Sequence, residues 1–268
     1  MLSKESSHEW DATSYHQVSQ PQFLWGQRVL DRLSLRGDET VLDAGCGTGR
    51  LTAKLLERLP HGRVIAVDRS ENMLEVARAF LLPQFGDHVQ FLRADLEYLA
   101  LHEAVDSIFS TATFHWILDH RSLFQRLFDV LKPGGVLVAQ CGGGPNLARL
   151  LRRTALLMEA PPYAPWFLGW SDPWVFADDL TTAARLRDSG FTDIDTSLEP
   201  APTAFATTQE FREFLTTVFC AQHLERIPNE ALRLQFTARL TEQAEKDTPP
   251  LVLDYWRLNL RGTRPAAL

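Results

Sequence analysis

The 268 residues have an ordinary globular composition, 45% hydrophobic and 23% charged, which suffices for one large α/β domain with insertions. The formal net charge of −7 argues against a nucleic-acid substrate, because phosphate binding needs a concentrated basic surface. No apolar run approaches the roughly 18 residues of a membrane span, and the polar segment Ser3–His8 lacks a signal-peptide pattern, so we expect a cytoplasmic protein without membrane contacts.

The cysteine pattern indicates neither a disulfide framework nor a metal centre. Cys46, Cys141 and Cys220 are odd in number and lack the spacing of metal ligands. We expect Cys46 to be a small residue in a tight loop, without a catalytic role. The predicted protein therefore has no bound metal.

The first predicted element is a helical leader. It runs from about Trp10 to Leu35 and is ended by the polar break Gly37–Glu39. We expect residues 1–36 to form a lid over a cofactor-binding core, residues 37–145. Residues 146–268 then form a substrate cap within one domain that spans 1–268.

A glycine-rich loop follows the first predicted strand. The apolar run Thr40–Leu42 ends in Asp43, and the loop Gly45–Gly49 leads into a helix over Thr48–Leu59. Nicotinamide and flavin enzymes hold a pyrophosphate with a G-x-G-x-x-G turn, whereas the spacing here is G-x-G-x-G. A carboxylate at Asp43 repels pyrophosphate and attracts an ammonium group. The pattern therefore favours a cofactor with a cationic amino-acid part.

Two further acids follow predicted strands. Asp68 ends the strand Arg63–Val67, about twenty residues after the loop, where a ribose-binding acid is expected. Asp95 follows the strand Val89–Ala94. Because ligands bind at the carboxyl edge of a parallel sheet, we expect both acids to meet Asp43 there.

The remaining elements continue the alternation of strands and helices, which predicts a doubly wound parallel sheet. They are a fourth strand over Ala104–Ser110, a helix over Arg121–Leu131, a turn at Lys132–Gly135, a fifth strand over Val136–Gln140, a helix over Asn146–Glu159, an aromatic loop over Pro161–Trp174, a helix over Asp178–Ser189, a sixth strand over Phe191–Leu198, a helical run over Thr208–Glu245 broken by Pro228, and a last strand over Leu251–Arg261.

The chain resembles the class I S-adenosylmethionine-dependent methyltransferases in Val41–Gly49, Asp68, Asp95 and Leu131–Gly135, which share the order and spacing of that family. The resemblance implies an α/β, Rossmann-like sheet of seven strands in the order 3-2-1-4-5-7-6, with the last strand antiparallel and helical cap insertions. It also implies S-adenosyl-L-methionine as cofactor. The predicted cofactor-binding residues are Asp43, Gly45, Cys46, Gly47, Gly49, Asp68, Arg69, Met73, Asp95, Leu96 and Thr111.

The resemblance gives these residues separate roles. Asp43 and the glycine loop would meet the methionine part of the cofactor, and Asp68 would hold the ribose hydroxyls. Met73 would pack on the adenine, while Asp95 and the Leu96 backbone would read the adenine edge. The structural alternatives are helix caps or turns for the three acids and core packing for Met73.

A second resemblance concerns the acceptor. Tyr15, Gln22 and the sequence Phe114–Trp116, with the helical C-terminal insertion, are similar to the trans-aconitate methyltransferase group and to insect juvenile hormone acid methyltransferases. This similarity implies that Gln22 and Trp116 orient an acceptor carboxylate and that Tyr15 closes over the cofactor. His115 is a candidate base only if the acceptor is a hydroxyl or an amine. Ordinary core or surface packing is the alternative for each residue.

The aromatic loop supplies candidate substrate walls. Trp166 and Trp170 are the predicted contacts, in a surface shared with Phe167, Trp174 and Phe176. The alternative is that these rings only pack the cap.

A basic helical face is the other candidate substrate contact. Arg149, Arg152 and Arg153 share that face and would meet an anionic substrate or simply be solvated.

The sequence thus predicts methyl transfer to a small-molecule acceptor, at a carboxylate oxygen, by a monomer or homodimer. Three alternatives stay open: C- or N-methylation of a natural-product or isoprenoid intermediate, a nicotinamide-dependent oxidoreductase, and a cofactor-binding protein without catalysis. The oxidoreductase leaves Asp43 and the glycine spacing unexplained.

Overall fold

The computed structural model describes residues 20–267, with side chains from residue 22 onward. The helices are α1 (Gln20–Leu30), α2 (Arg50–Leu56), α3 (Glu71–Phe85), α4 (His120–Val130), α5 (Ala148–Glu159), α6 (Asp179–Asp188), α7 (Thr208–Phe214), α8 (Ala221–Arg226) and α9 (Glu230–Glu245). The strands are β1 (Thr40–Ala44), β2 (Arg63–Asp68), β3 (Val89–Arg93), β4 (Val105–Thr111), β5 (Leu131–Gly142), β6 (Thr192–Pro200), β7 (Thr203–Ala204), β8 (Val252–Leu253) and β9 (Trp256–Thr263). Single-turn 3₁₀ segments include Leu96–Tyr98 and Phe114–Trp116.

Seven of these strands form one sheet in the order β3-β2-β1-β4-β5-β9-β6. The neighbours from β3 to β5 run parallel, whereas β9 runs antiparallel to β5. The strands β7 and β8 form a separate two-stranded sheet, so β9 is the seventh strand of the main sheet in chain order. The predicted order 3-2-1-4-5-7-6 and the antiparallel last strand are therefore confirmed. Because β9 is antiparallel, it begins at the edge where β4 and β5 end.

Alternating side chains of the parallel strands separate two hydrophobic layers. On β1, Leu42 belongs to the layer that contains α4, whereas Val41 belongs to the layer that contains α2 and α3. Ile108 and Phe109 on β4 divide between the two layers in the same way. This alternation is the expected result of a pleated strand covered by helices on both faces.

The predicted turn at Lys132–Gly135 is wrong, because these residues lie within β5 as an irregular stretch. Between Val105 and Ser107 on β4, the partner on β5 jumps from Leu131 to Val136. Gly134 N–H donates to the carbonyl of Arg264 at 2.9 Å. Pairing with the chain beyond β9 therefore holds this proline- and glycine-rich segment at the start of β5, where Gly134, with a φ of 81°, forms part of a bulge that interrupts the ladder.

The single last strand predicted over Leu251–Arg261 is also wrong. It is divided into β8, which pairs with β7, and β9, which pairs with β5. Leu251 adopts a φ of 53° just before β8. Two different pairing partners along one apolar run account for the break.

The chain divides into two compact units. The sheet unit contains the described residues up to Gly144 together with 173–199 and the residues from 257 onward; the helical unit contains 145–172 and 200–256. Residues 173–199 of the predicted cap thus belong to the sheet unit. That the chain forms one domain stays a prediction, and most of the predicted lid lies outside the described residues. No helix within 20–267 is long and apolar enough to cross a bilayer.

Candidate active site

Asp43, near the end of β1, is a buried carboxylate. Its side chain is 2% exposed, and Oδ2 accepts a hydrogen bond from Thr52 Oγ1 on α2 at 2.6 Å. Burial raises the pKa of Asp43 to about 7; the Thr52 hydroxyl acts in the opposite direction, and the negative charge of Asp68 adds to the rise. The fold therefore holds an acid whose ionised form is stabilised best by a cation.

The glycine loop after β1 is tightly packed at one residue and open at another. Gly45, Gly47 and Gly49 all have positive φ values, of 90°, 54° and 82°. A Cβ at Gly45 would lie 2.1 Å from Thr113 Oγ1, whereas a Cβ at Gly47 would have no heavy atom of the described residues within 4 Å. Glycine at 45 thus permits a close approach between two strand ends, and no described residue crowds the backbone at 47.

Asp68, at the end of β2, is held by backbone donors. Its Oδ2 accepts from Gly47 N–H at 2.9 Å, and its Oδ1 accepts from Ser70 N–H at 3.0 Å. Burial nevertheless raises the pKa of Asp68, because the desolvation outweighs these two donors and the nearby charge of Arg69. Asp68 is thereby fixed against the glycine loop, as its predicted ribose-binding role requires.

The residues predicted to meet adenine have structural partners of their own. Asp95 is exposed and accepts from Glu97 N–H at 3.0 Å, as the cap of a short 3₁₀ turn. Leu96 and Met73 are each 4% exposed, and Leu96 belongs to the hydrophobic layer of α4. These are the turn and packing roles named as alternatives, so adenine contact stays a prediction.

The other predicted cofactor residues lie at the same sheet edge. Cys46 is 9% exposed, and burial raises the pKa of its thiol far above the usual range. The carbonyl of Arg69 accepts from Arg93 Nε at 3.2 Å, and the carbonyl of Thr111 accepts from Thr113 Oγ1 at 2.9 Å. A neutral, buried Cys46 agrees with a packing role in the loop.

The segment after β4 is held in a strained, specific turn. Ala112 adopts a φ of 54°, which is unusual for a residue with a side chain. The following 3₁₀ turn is tied to α4, where His120 Nε2 lies 3.0 Å from the Phe114 carbonyl oxygen. Arg185 Nη1 on α6 lies 3.0 Å from the other ring nitrogen of His120. His120 therefore bridges α6 and the turn that presents His115 and Trp116.

His115 is fixed in one tautomer by the end of β5. Its side chain is 9% exposed, and Nδ1 accepts from Gly142 N–H at 3.3 Å. Burial lowers the pKa of His115 well below its usual value, and the charges of Arg257 and His120 lower it further. Since Nδ1 is the acceptor, Nε2 carries the proton of the neutral ring. This nitrogen is thus a hydrogen-bond donor and not a base.

An aromatic cluster surrounds this turn. The Trp116 ring lies 5.1 Å from the His115 ring and makes an edge contact of 5.6 Å with Trp174. Phe176 stacks on His115 at 5.7 Å, and Val175 N–H donates to the His115 carbonyl at 2.8 Å. Four rings within the sheet unit, that of His115 included, therefore form one aromatic cluster.

Gln22, on α1, has an unusual side chain. Its Oε1 is buried without a hydrogen-bond partner among the described residues. Buried polar atoms are normally paired, and an amide oxygen is an acceptor, so Oε1 is a candidate for contact with a donor group of a ligand. The carboxylate-orienting role predicted for Gln22 concerns its amide nitrogen and stays a prediction. Tyr15, the other predicted contact in the leader, lies outside the described residues.

The remaining aromatic candidates belong to the helical unit. Trp170 Nε1 donates to Asp172 at 3.0 Å, and its ring lies 4.6 Å from that of the buried His223. Trp166 is 39% exposed. The structure thus divides the predicted aromatic surface. Trp174 and Phe176 join the Trp116 cluster in the sheet unit, whereas Trp166, Phe167 and Trp170 belong to the helical unit.

The predicted basic face of α5 also packs within the helical unit. Arg153 binds Asp247 in a bidentate pair with distances of 2.8 and 2.5 Å, and Arg149 lies 3.7 Å from Asp254. Two of the three arginines therefore hold structural carboxylates, and neither an anionic substrate nor a purely solvated face is needed to explain them.

Three further residues were missed by the sequence interpretation. Thr52 follows Asp43 by nine residues, and a hydroxyl on the first turns of the next helix could have indicated it. Thr113 and Arg257 offered no spacing signal, because their contacts with Gly45 and Trp25 join segments far apart in sequence. Within 20–267, no three His, Cys, Asp or Glu side chains are grouped as metal ligands would be.

Comparisons with known proteins agree on the family of the sheet unit. Residues 41–135 match a methyltransferase domain family. Trans-aconitate 2-methyltransferase of Azoarcus sp. (strain BH72) is 40% identical over 131 residues, which are 49% of this chain and 50% of that protein. The enzyme of the same name from Rhodopseudomonas palustris (strain BisA53) is 30% identical over 182 residues, 68% of this chain and 63% of that protein. The matched region thus spans about half to two thirds of these relatives.

A solved structure supports the fold over a longer range. A putative methyltransferase from Bacillus halodurans C-125 superposes with a TM-score of 0.62 at 16% identity, covering 90% of this chain and 99% of that protein. At this identity the likeness establishes the architecture alone.

The raised pKa of Asp43 predicts a pH-dependent stability that Asp43→Asn removes. The folded state binds a proton that the unfolded chain has lost, so the free energy of unfolding of the wild type falls between about pH 4 and about pH 7. Over this range the wild type should lose of the order of 4 kcal/mol of unfolding free energy that Asp43→Asn does not lose. Urea unfolding of both proteins across this range measures the difference, and parallel pH curves would contradict it.

Proposed function

Because the chain belongs to the class I S-adenosylmethionine-dependent methyltransferases, we propose that it transfers a methyl group from S-adenosylmethionine to a carboxylate oxygen of a small organic acid. Relatives named trans-aconitate 2-methyltransferase support an acid as acceptor. The observation that carries most weight is a neutral, buried His115 with its proton on Nε2, next to Trp116.

The sheet edge fits the cofactor chemically. A buried carboxylate with a pKa of about 7 suits the ammonium group of the methionine part. No described residue crowds the backbone at Gly47, and Asp68 is held beside it by two backbone donors. Asp68 retains acceptor capacity for ribose hydroxyls, because each carboxylate oxygen has a second lone pair.

The acceptor chemistry calls for donors and not for a base. S-adenosylmethionine supplies a methyl group activated on a sulfonium. A carboxylate acceptor is already ionised near neutral pH, so the protein needs only to orient it and exclude water. We assign Gln22, Trp116 and His115 to this task, since an amide, an indole N–H and a neutral imidazole N–H are all uncharged donors.

The aromatic cluster supports a second candidate function. Ring faces such as those of Trp116, Trp174 and Phe176 stabilise a cation, as C- or N-methylation of an isoprenoid or other natural product would require. His115 is a poor base for such a reaction, because its Nε2 carries the proton. An oxidoreductase gains no support, since Asp43 would face a pyrophosphate.

A labelling experiment separates these functions. The protein is incubated with methyl-labelled S-adenosylmethionine and sets of carboxylic acids, phenols, amines and prenyl compounds. Label in a product that dilute base hydrolyses supports carboxyl methylation. Label in a base-stable product would overturn it in favour of C-, N- or ether O-methylation, and absence of cofactor binding would overturn both.

Asp68→Ala should weaken S-adenosylmethionine binding by about tenfold or more, because two ribose hydroxyls lose a charged acceptor. Titration calorimetry with S-adenosylmethionine measures this dissociation constant. Asp87→Ala is the matched control, because Asp87 is an exposed aspartate that precedes the first residue of β3. Equal affinities of the wild type and Asp68→Ala would remove Asp68 from the site.

His115→Gln and His115→Phe test the donor role. Glutamine retains an N–H donor, whereas phenylalanine keeps the ring and loses the donor, so we expect turnover to fall by about tenfold or more in His115→Phe and less in His115→Gln. In the wild type, turnover with saturating substrates should show no rise near pH 6.5 from this residue. A greater loss of turnover in His115→Gln than in His115→Phe would contradict the role of His115 as a hydrogen-bond donor.

A further inference from the structure

The turn Phe114–Trp116 is held by two consecutive backbone carbonyls. The Phe114 oxygen lies 3.0 Å from His120 Nε2 at the start of α4. The next carbonyl, that of His115, accepts from Val175 N–H at 2.8 Å. These two contacts fix the backbone of the turn and therefore the directions in which its side chains point.

Both ring nitrogens of His120 have polar partners. The residue is 4% exposed, and Arg185 Nη1 on α6 lies 3.0 Å from His120 Nδ1. Because an arginine side chain has no acceptor, Arg185 donates to an unprotonated Nδ1, and Nε2 carries the proton of the neutral ring. Nε2–H then donates to the Phe114 carbonyl. A single tautomer thus satisfies both contacts.

Arg185 selects this tautomer. With the proton on Nδ1 instead, Nε2 would direct a lone pair at the Phe114 oxygen, and the contact would become repulsive. Ala112, just before the turn, adopts a φ of 54°, and a strained residue persists only where its surroundings over-determine it. Loss of Arg185 would therefore release the turn from α4.

We propose that Arg185 is a positioning residue for the methyl transfer, which acts through His120 to hold the donors of His115 and Trp116 against the acceptor carboxylate. This inference rests on the proposed function. Arg185 acts on the turn and not on the glycine loop, so its loss should disturb alignment of the acceptor and leave cofactor binding intact. Misalignment of a reacting group by about 1 Å costs on the order of a hundredfold in rate.

A kinetic comparison tests the role of Arg185. Turnover of trans-aconitate, used as the probe acid, is measured for the wild type, Arg185→Met, Arg185→Lys and the control Arg187→Met, which changes an exposed arginine on the same helix. Arg185→Met should lower kcat by about tenfold or more, with the dissociation constant of S-adenosylmethionine within about twofold. Arg185→Lys should recover most of the turnover, because an ammonium group also donates without accepting.

Three results would overturn the proposal: equal kcat in the wild type and Arg185→Met, a loss of cofactor affinity as large as the loss of kcat, or a similar loss of kcat in Arg187→Met.

A double-mutant cycle tests whether Arg185 acts through His120. Once His120→Phe has removed the link, Arg185→Met should add no further loss of kcat beyond about twofold. Losses that multiply would show that Arg185 acts independently of His120 and would contradict the proposal. If His120→Phe does not bind S-adenosylmethionine, the difference between Arg185→Met and Arg185→Lys decides.

A spectroscopic measurement separates this proposal from the proposed function. Nuclear magnetic resonance of protein with isotopically labelled tryptophan reports the indole N–H of Trp116, assigned by its absence in Trp116→Phe. The signal should shift in Arg185→Met, return in Arg185→Lys and stay in place in Arg187→Met. This result supports the positioning role even if no acid is methylated, in which case only the proposed function fails. An unmoved signal in Arg185→Met refutes the positioning role, whatever the protein methylates.

Discussion

Burial of the Asp43 carboxylate is the constraint on which the site depends. A charged group inside a protein costs several kcal/mol unless a partner compensates it, and among the described residues the compensation is one hydroxyl, from Thr52. The desolvation that remains raises the pKa of Asp43 to about 7. A cationic ligand would remove that desolvation cost on binding, so we propose that the residue that weakens the isolated fold gives the cofactor site its preference for positive charge.

The second half of the site depends on the direction of β9. An antiparallel strand inserted beside β5 begins where the parallel strands end, and this topology brings Arg257 opposite Gly142. Gly142 N–H then sets the tautomer of His115. Strand direction and histidine protonation are thus linked through Gly142, and we propose that the neutral His115 that results serves as an uncharged donor.

Sequence reasoning predicted where the glycine loop and the two acids lie because their signals are local. A strand, an acid and spaced glycines are read within ten residues, and Asp43 and Asp68 lie at the predicted edge. Prediction failed where long-range pairing decides the structure: Gly134 is kept in a strand by Arg264. The tautomer of His115 and the position of Arg257 follow from contacts with β5 and α1, which no spacing pattern encodes.

Proton release on cofactor binding tests the central claim most directly. Calorimetric titration with S-adenosylmethionine at about pH 6, in buffers with different ionisation enthalpies, counts the protons released as Asp43 ionises beside the ammonium group. The account predicts release of about one proton per bound cofactor at this pH and little release at about pH 8, where Asp43 is already ionised. Binding without proton release at the lower pH would contradict a protonated Asp43 that meets the cationic part of the cofactor.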